Sequence, residues 1–337
     1  VTEPAADLDV PGLSDEDYFD SYADPGVHRL MIADHVRTDA YRRALEEMVA
    51  PGSTVLDVGT GTGILSLFAA RAGARRVYAV DRSSIIETAR DLAKVNGQAK
   101  RIEFSRIRAE DLKLKVKVDL LVSEWMGFFA LAECMFSSVI AARDQHLAPG
   151  GHMMPSHLRL DLAAIEDKKL HDERGIGMWE RPVYGFDYGP MIERELGELL
   201  TTACDLPPGS LLSPGQTMLE LDCATADVDD FFFDADVDLP IERDATVHGL
   251  GGWFEVDLSP GVTLSTSPNL PSTHWRQSFF PLRPFPAQAG DVLRIKMRAT
   301  PREWGDRRLP LYFTEGSLLR TGTEVHRFFY AHAGSFE

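Results

Sequence analysis

Val55-Leu56-Asp57-Val58-Gly59-Thr60-Gly61-Thr62-Gly63 decides the fold. A short apolar run passes directly into a loop with glycine at every second position, and the helical pattern of residues 64–72 follows. Glycines here permit tight turning and close approach of the backbone to a ligand. Outward from this loop, the pattern predicts strands at 54–58, 76–80, 102–107 and 118–123. It predicts helices at 64–72, 84–96 and 133–147. Ser83 is the expected N-cap of the second helix, with Gly97 past its end. Pro149-Gly150-Gly151 closes the last. Strand and helix in alternation, with apolar strands, imply an α/β, doubly wound parallel sheet of Rossmann type, covered on both faces.

Ahead of this unit, Leu30, Met31, Val36, Tyr41, Ala44, Leu45 and Met48 keep helical spacing from about His28 to Pro51-Gly52. Behind it the pattern changes near residue 155. Short strands at 158–165, 218–221, 252–258, 292–298 and 309–314 follow, mostly without helices between them, as in an antiparallel sandwich or β-barrel. Residues 168–212 are the exception, partly helical and carrying Trp179, Tyr184, Phe186 and Tyr188. The expected division is a tail and covering segment at 1–27, a Rossmann-like domain at 28–155 and a β domain at 156–337.

At 337 residues the chain is long enough for two cores. Cys134, Cys204 and Cys223 are too few and too scattered for a disulfide framework or a cysteine zinc site, and they suit a reducing cytoplasm. No long apolar stretch suggests a membrane span, and the acidic start does not read as a signal peptide. The net charge of −17 disfavours direct nucleic-acid binding. It is uneven. Residues 201–250 hold 11 acids and a single Lys or Arg, Arg243, whereas residues 51–150 hold 11 acids and 14 bases. Solubility explains such acidity, and so does attraction of a cationic partner.

The glycine loop narrows the ligand. Asp81 ends the second strand, where an acid accepts hydrogen bonds from ribose hydroxyls. Dinucleotide loops space their glycines as G-x-G-x-x-G, whereas position 64 here is Ile, which disfavours an NAD-dependent oxidoreductase. Asp57, two residues before Gly59, would oppose a pyrophosphate but suits a cation. S-adenosylmethionine carries an ammonium and a sulfonium and no phosphate, so the loop points to a methyltransferase.

Ser123-Glu124-Trp125-Met126-Gly127-Phe128-Phe129-Ala130-Leu131-Ala132-Glu133 follows the fourth strand. Two acids in an otherwise apolar loop are costly unless a cation pairs with them. A guanidinium fits, because its planar fork matches a carboxylate. With this loop, Tyr18–Tyr22, His28, Met31, Asp34, Arg37, Ala142-Arg143-Asp144, Leu264–Pro268 and Thr273-His274-Trp275, the sequence resembles the protein arginine methyltransferases from about Tyr18 to about Tyr312.

The resemblance implies roles. Glu124 and Glu133 grip the substrate guanidinium, and His274 pairs with Asp34 beside them. Arg37 binds the cofactor carboxylate, with His28 nearby. Gly59 and Gly61 approach its methionine part, Asp81 its ribose and Glu110 its adenine amino group, and Asp57 is counted with them among the cofactor-binding residues. Tyr22, Met31, Met126, Phe128 and Trp275 line the substrate pocket, and Tyr18, Phe19 and Tyr22 fold over the cofactor. No metal is implied. A homodimer is expected through an arm at about 175–212. Met31 favours asymmetric dimethylarginine. Departures from the usual pattern (Arg29-Leu30, Asp81, Phe128, Ala130 and Ala132) leave a small guanidino compound open as substrate; the intact Glu124, Glu133, Asp34 and His274 argue against the other alternative, a non-catalytic dimeric scaffold.

Overall fold

The computed structural model describes residues 22–302 and 308–335. The expectations for Tyr18 and Phe19 lie outside them. In the first half, helices α1 (Pro25–Ala33) and α2 (His35–Met48) precede strand β1 (Thr54–Val58). Then come α3 (Ile64–Ala72), β2 (Arg76–Asp81), α4 (Ile85–Val95), β3 (Ile102–Arg106), β4 (Val118–Ser123), α5 (Phe136–His146) and β5 (Leu147–Met154). The five strands form one parallel sheet in the order β3-β2-β1-β4-β5. Every residue of β1 is buried, as in a sheet covered on both faces. The strand order reverses at β1, between β2 and β4, and the register aligns their carboxyl ends. Val58 pairs with Val80 on one side and with Ser123 on the other. Ligands of open α/β sheets bind at such a crevice. This register brings the glycine loop, Asp81 and the double-glutamate loop to one edge.

The second half is mainly antiparallel. It runs β6 (His157–Ile165), α6 (Lys168–Arg174), α7 (Gly189–Leu196), β7 (Leu199–Leu200), β8 (Thr202–Cys204), β9 (Gln216–Asp222), β10 (Asp234–Pro240) and β11 (Ala245–Ser259). It ends with β12 (Val262–Ser265), β13 (Gln277–Ala287), β14 (Val292–Thr300), β15 (Leu311–Arg320) and β16 (Thr323–Ala333). One sheet has the order β8-β13-β11-β6-β9 with β12 beside β11, and the other β10-β14-β15-β16-β7.

Several local expectations are corrected. The single helix from His28 is two, because Asp34 stands at φ −70°, ψ 90° and caps both, ending α1 and starting α2. Ser83 does not cap α4. Its amide and hydroxyl donate to Asp81, and α4 begins after Ser84. The helix after the double-glutamate loop starts at Phe136 rather than Glu133, because Glu133 and Cys134 have positive φ. β13 lies outside the expected strands and carries Pro281, Pro284 and Pro286, a residue type that disfavours sheet interiors. β10 was hidden by its acids, yet Asp234 and Asp238 are paired with Lys296 and Arg294 of the neighbouring β14. Part of the acidity of residues 201–250 is therefore neutralised within the sheet.

The expected arm is partly helical and is tied back to both sheets: β7 pairs with β16 and β8 with β13. Its aromatic set divides. Trp179 stacks on Tyr188 at 5.7 Å, while Tyr184 and Phe186 are 96% and 68% exposed. Helix α7 buries no residue within this chain.

One buried cluster joins the two halves. Phe136 of α5 stacks on Phe231, just before β10, with centroids 4.1 Å apart. Arg143, also on α5, donates from Nη1 to the carbonyls of Cys223 and Ala226 at 3.0 and 2.7 Å. Its Nε donates to Asp144. Arg143→Met would keep the stem but strand two buried carbonyls. It should cost about 2–4 kcal/mol in urea denaturation; an unchanged midpoint and slope would show that this tie is dispensable.

Candidate active site

The glycine loop is built around two carboxylates. Gly59, Gly61 and Gly63 have φ of 72°, 54° and 80°, a region that favours glycine. Asp57 is fully buried below the loop. Its Oδ2 accepts from the hydroxyls of Thr60 at 2.6 Å and Ser66 at 2.7 Å, while its Oδ1 is buried without a hydrogen-bond partner among the described residues. Burial pushes this carboxyl up to about 6 against the pull of those hydroxyls. Asp81 holds the loop from the neighbouring strand. Its Oδ2 accepts from the Gly61 amide at 2.8 Å, and its Oδ1 from Ser83. Met135 packs where a side chain on Gly59 would project, and a Cβ on Gly61 would lie 3.0 Å from the His28 ring.

His28 is buried, its Nε2 donates to the Tyr22 carbonyl at 2.8 Å, and the Cε1–Nδ1 edge of its ring faces Gly61. The Tyr22 hydroxyl in turn donates to Glu133 Oε2 at 2.5 Å. Tyr22 thus links the glycine loop to the second glutamate.

The double-glutamate loop leaves β4 and makes a hairpin-like turn in which Gly127 and Ala130 exchange backbone hydrogen bonds. Phe129, Ala130, Glu133 and Cys134 all have positive φ, 48° to 76°, which costs on the order of 1–3 kcal/mol each. Packing and backbone bonds over-determine this strain. The Phe129 ring sits against Gly252, whose Cβ would lie 2.6 Å from it, and meets Phe280 and Tyr312 edge-on. The Trp275 indole donates to the Met126 carbonyl at 2.7 Å, and the Glu133 amide to the Arg308 carbonyl at 2.7 Å. Met126 and Trp275 are buried, and Phe128 is half-buried.

Arg37 and Glu124 form a buried ion pair. Arg37 Nη2 and Nε both donate to Glu124 Oε2, at 2.6 and 3.0 Å, and the side chains are 6% and 8% exposed. Glu124 Oε1 is buried with no hydrogen-bond partner among the described residues. Burial alone would lower the Arg37 pKa, but the charge and hydrogen bonds of Glu124, with Tyr41 and Asp34 adding to them, together hold it above the ordinary value. Arg37 Nη1 also donates to the Met31 carbonyl at 3.3 Å.

Asp34 ties this pair to the second half. Its Oδ1 accepts from the Arg37 amide at 3.0 Å as the cap of α2. Its Oδ2 accepts from the His274 amide at 2.9 Å and from His274 Nδ1 at 2.8 Å. Burial would raise the Asp34 pKa, but the bonds from His274 and the Arg37 amide hold it below the usual carboxylate value.

Known proteins carry the same organisation. A family profile described as "Arginine methyltransferase oligomerization subdomain" matches residues 159–313, and one described as "Ribosomal protein L11 methyltransferase (PrmA)" matches residues 33–157. Protein arginine N-methyltransferase 1 of Schizosaccharomyces pombe is 38% identical over 308 residues, covering 89% of each chain. Its Saccharomyces cerevisiae namesake is 37% identical over 308 residues, 88% of this chain and 86% of the relative. Among solved structures, a Trypanosoma brucei PRMT1 enzyme-prozyme heterotetrameric complex with AdoHcy superposes with a TM-score of 0.87 at 30% identity. It covers 94% of this chain and all of that one. Arabidopsis thaliana protein arginine methyltransferase 10 gives 0.84 at 31%, covering 95% of this chain and all of its own. The chain belongs to the protein arginine N-methyltransferase family.

Within this methyltransferase, most of the anticipated side chains are joined by hydrogen bonds. The bonds above gather them in two groups, Tyr22, His28 and Glu133 in one and Met31, Asp34, Arg37, Glu124 and His274 in the other. Glu110 stands apart, accepting from the Ser138 hydroxyl at 2.5 Å and lying 3.6 Å from Arg108. Arg37 faces Glu124 here, although a cofactor carboxylate was its expected partner. Two participants escaped sequence reading. Met135 had only its place two residues after Glu133 as a signal. Arg308 acts through its backbone carbonyl, far away in the chain, and has no sequence signal. Among the described residues, no group of three or more His, Cys, Asp or Glu side chains could hold a metal ion.

Asp57 generates a pH test. A carboxyl whose folded pKa is raised favours folding when protonated, so its contribution fades as pH rises from about 4 through about 6. Between pH 4 and 7 the wild type should lose about 2 kcal/mol relative to Asp57→Asn in urea denaturation. Parallel pH profiles would contradict the buried, partly unpaired carboxylate.

Proposed function

We propose that this enzyme uses S-adenosylmethionine to methylate arginine in cationic proteins or peptides, forming mono- and asymmetric dimethylarginine as a type I-like enzyme. The observation that carries the reading is Glu124, whose Oε1 is buried and has no hydrogen-bond partner among the described residues, beside a buried arginine. A buried carboxylate oxygen without a donor is costly, and a substrate guanidinium supplies that donor.

The residues fit the cofactor. The positive-φ glycines give a close backbone approach, Asp81 stands at the end of the adjacent strand and His28 covers Gly61. Gly59 and Gly61 would face the methionine part, Asp81 the ribose, Glu110 the adenine amino group and Arg37 the carboxylate. Asp57 would act through the loop it braces. When bound, the cofactor supplies an electrophilic methyl on sulfonium sulfur. Glu124 and Glu133 hold the guanidinium and draw its positive charge towards the nitrogens they contact, leaving the attacking nitrogen richer in electrons. Orientation of this kind is worth up to about 7–11 kcal/mol. One proton must leave that nitrogen. His274 commits its Nδ1 proton to Asp34, so its Nε2 can accept, and Glu133 is the other candidate. Met31, with its carbonyl on Arg37, leaves room for a second methyl on the same nitrogen.

The family's oligomerization subdomain, the exposed Tyr184 and Phe186 and the unburied α7 support a homodimer formed through the arm. The three free cysteines support a cytoplasmic setting.

The test is incubation with labelled S-adenosylmethionine and, separately, an Arg/Gly-rich peptide, free arginine and agmatine, with products read by mass spectrometry. Mono- and dimethylated peptide is expected, with both methyls on one nitrogen. Label confined to the small molecules would overturn the protein substrate, and cofactor binding without any transfer would favour a scaffold. Glu124→Gln and Glu133→Gln should each lower kcat by at least about 100-fold while S-adenosylhomocysteine affinity survives. Full activity in either variant would remove the guanidinium clamp.

A further inference from the structure

We infer that His171 and His248 form an acid-sensitive latch that fastens the root of the arm to the β domain, closed while both imidazoles are neutral and opened when either gains a proton. The latch works within one chain and needs no substrate, cofactor or second copy.

The two histidines meet where the arm leaves the β domain. Helix α6 follows β6 directly, and His171 is the only residue of α6 that is buried. His248, also buried, lies on β11 where the register with β13 breaks between Val247 and Gly249. Such irregularities re-aim a side chain. Here they bring the His248 ring to 5.3 Å from the His171 ring, centroid to centroid. The chain then closes over His171. A Cβ on Gly175 would lie 3.1 Å from its Nδ1, and one on Gly177 would lie 2.6 Å from its Cδ2. Glu180 ends the short turn Ile176–Glu180 and accepts from His171 Nε2 at 3.3 Å. A carboxylate can only accept, so Nε2 carries the proton of neutral His171. Its Nδ1 is buried without a hydrogen-bond partner among the described residues, and so is Nδ1 of His248.

This arrangement accommodates a further proton poorly. On His171 it would make Nδ1 a donor facing Gly175, and a buried donor without an acceptor is costly. On His248 it would place a charge in a buried site beside a second imidazole. The charged groups around the pair are already engaged. On the arm side, Lys168 pairs with Asp172 at 3.0 Å, Arg181 lies 3.6 Å from Asp172, and Asp167 caps α6 through the Leu170 amide. On the β side, Glu166 is held by Arg243 and the Thr246 amide. Glu180 is 41% exposed, so solvent screens its pull on a second proton. Burial pushes the His248 pKa down, and His171 and Lys168 add to this against the pull of Glu166 and Asp167. In the open form both rings meet water and protonate as ordinary histidines. A base whose pKa is lowered by docking loses docking stability as pH falls below its ordinary value of 6.5. Acid therefore opens the latch and neutral pH closes it. The far end of the arm stays tied through β7 and β8, so the part released is residues 168–180.

The experiment uses the full chain labelled with 5-fluorotryptophan and followed by fluorine NMR, alongside the imidazole Cε1–H resonances of His171 and His248. Trp179 lies in the turn that closes over His171, and Trp179→Phe identifies its signal. Trp125, buried edge-on to Phe136 and Phe231, is the reference for the rest of the molecule. One linked proton favours opening by up to about tenfold between about pH 7.5 and about pH 5.5. Over that range the Trp179 signal should move towards that of a solvated ring while Trp125 stays still. In the double variant His171→Phe/His248→Phe, which keeps two rings and removes both titrating groups, Trp179 should no longer respond. A Trp179 signal that stays still in the wild type, a response that persists in the double variant, or Trp125 moving together with Trp179 would each overturn the latch. If the double variant does not fold, the wild type still decides. Its histidine resonances and Trp179 should change with one common midpoint, and separate midpoints would overturn the coupling.

Discussion

The structure depends on placing carboxylates where water cannot solvate them. Glu124 is nearly buried, Asp34 sits between two helices and Asp57 lies beneath the glycine loop. Each would be costly alone. Asp34 is satisfied by two backbone amides and an imidazole, Asp57 by two hydroxyls on one oxygen, and Glu124 by an arginine on one oxygen. The oxygens left over belong to Asp57 and Glu124. Asp57 lies on β1 and Glu124 directly follows β4, beside the reversal of strand order. The architecture concentrates unbalanced negative charge at the crevice where its sheet type binds ligands, and a cationic ligand is what such a crevice selects.

The second half of the chain completes the site. His274 comes from the loop before β13, yet its amide and ring hold Asp34, which sets the start of α2 and therefore the position of Arg37. Trp275 grips the double-glutamate loop through the Met126 carbonyl, and Gly252 of β11 makes room for Phe129 beneath it. The four positive-φ residues of that loop persist because both halves press on it. Arg143 and the Phe136–Phe231 stack hold the halves together at α5, the helix that directly follows the loop.

Much of this was legible in the residues. The glycine spacing and apolar strands carried the parallel sheet, since backbone freedom and burial on both faces leave direct marks on composition. The pairing of Asp34 with His274 was legible only through the resemblance to a family, because 240 residues separate them. The illegible parts share a physical cause, which is tertiary context overriding a local signal. Prolines in β13 and acids in β10 both argue against strands, but neighbouring strands accept them, with Lys296 and Arg294 balancing Asp234 and Asp238. The late start of α5 follows from strain at Glu133 and Cys134 that no propensity predicts. The Arg37–Glu124 pair was not foreseen, since both residues had been given external partners.

The central claim is that the two glutamates recognise positive charge on a planar guanidinium. The most direct measurement compares an Arg/Gly-rich peptide with one in which the target arginine is replaced by citrulline, its neutral near-isostere, titrated into the protein saturated with S-adenosylhomocysteine. Loss of a buried charge-assisted pair costs about 3–5 kcal/mol, so citrulline should bind at least about 100-fold more weakly. Equal affinity for the two peptides would contradict the account.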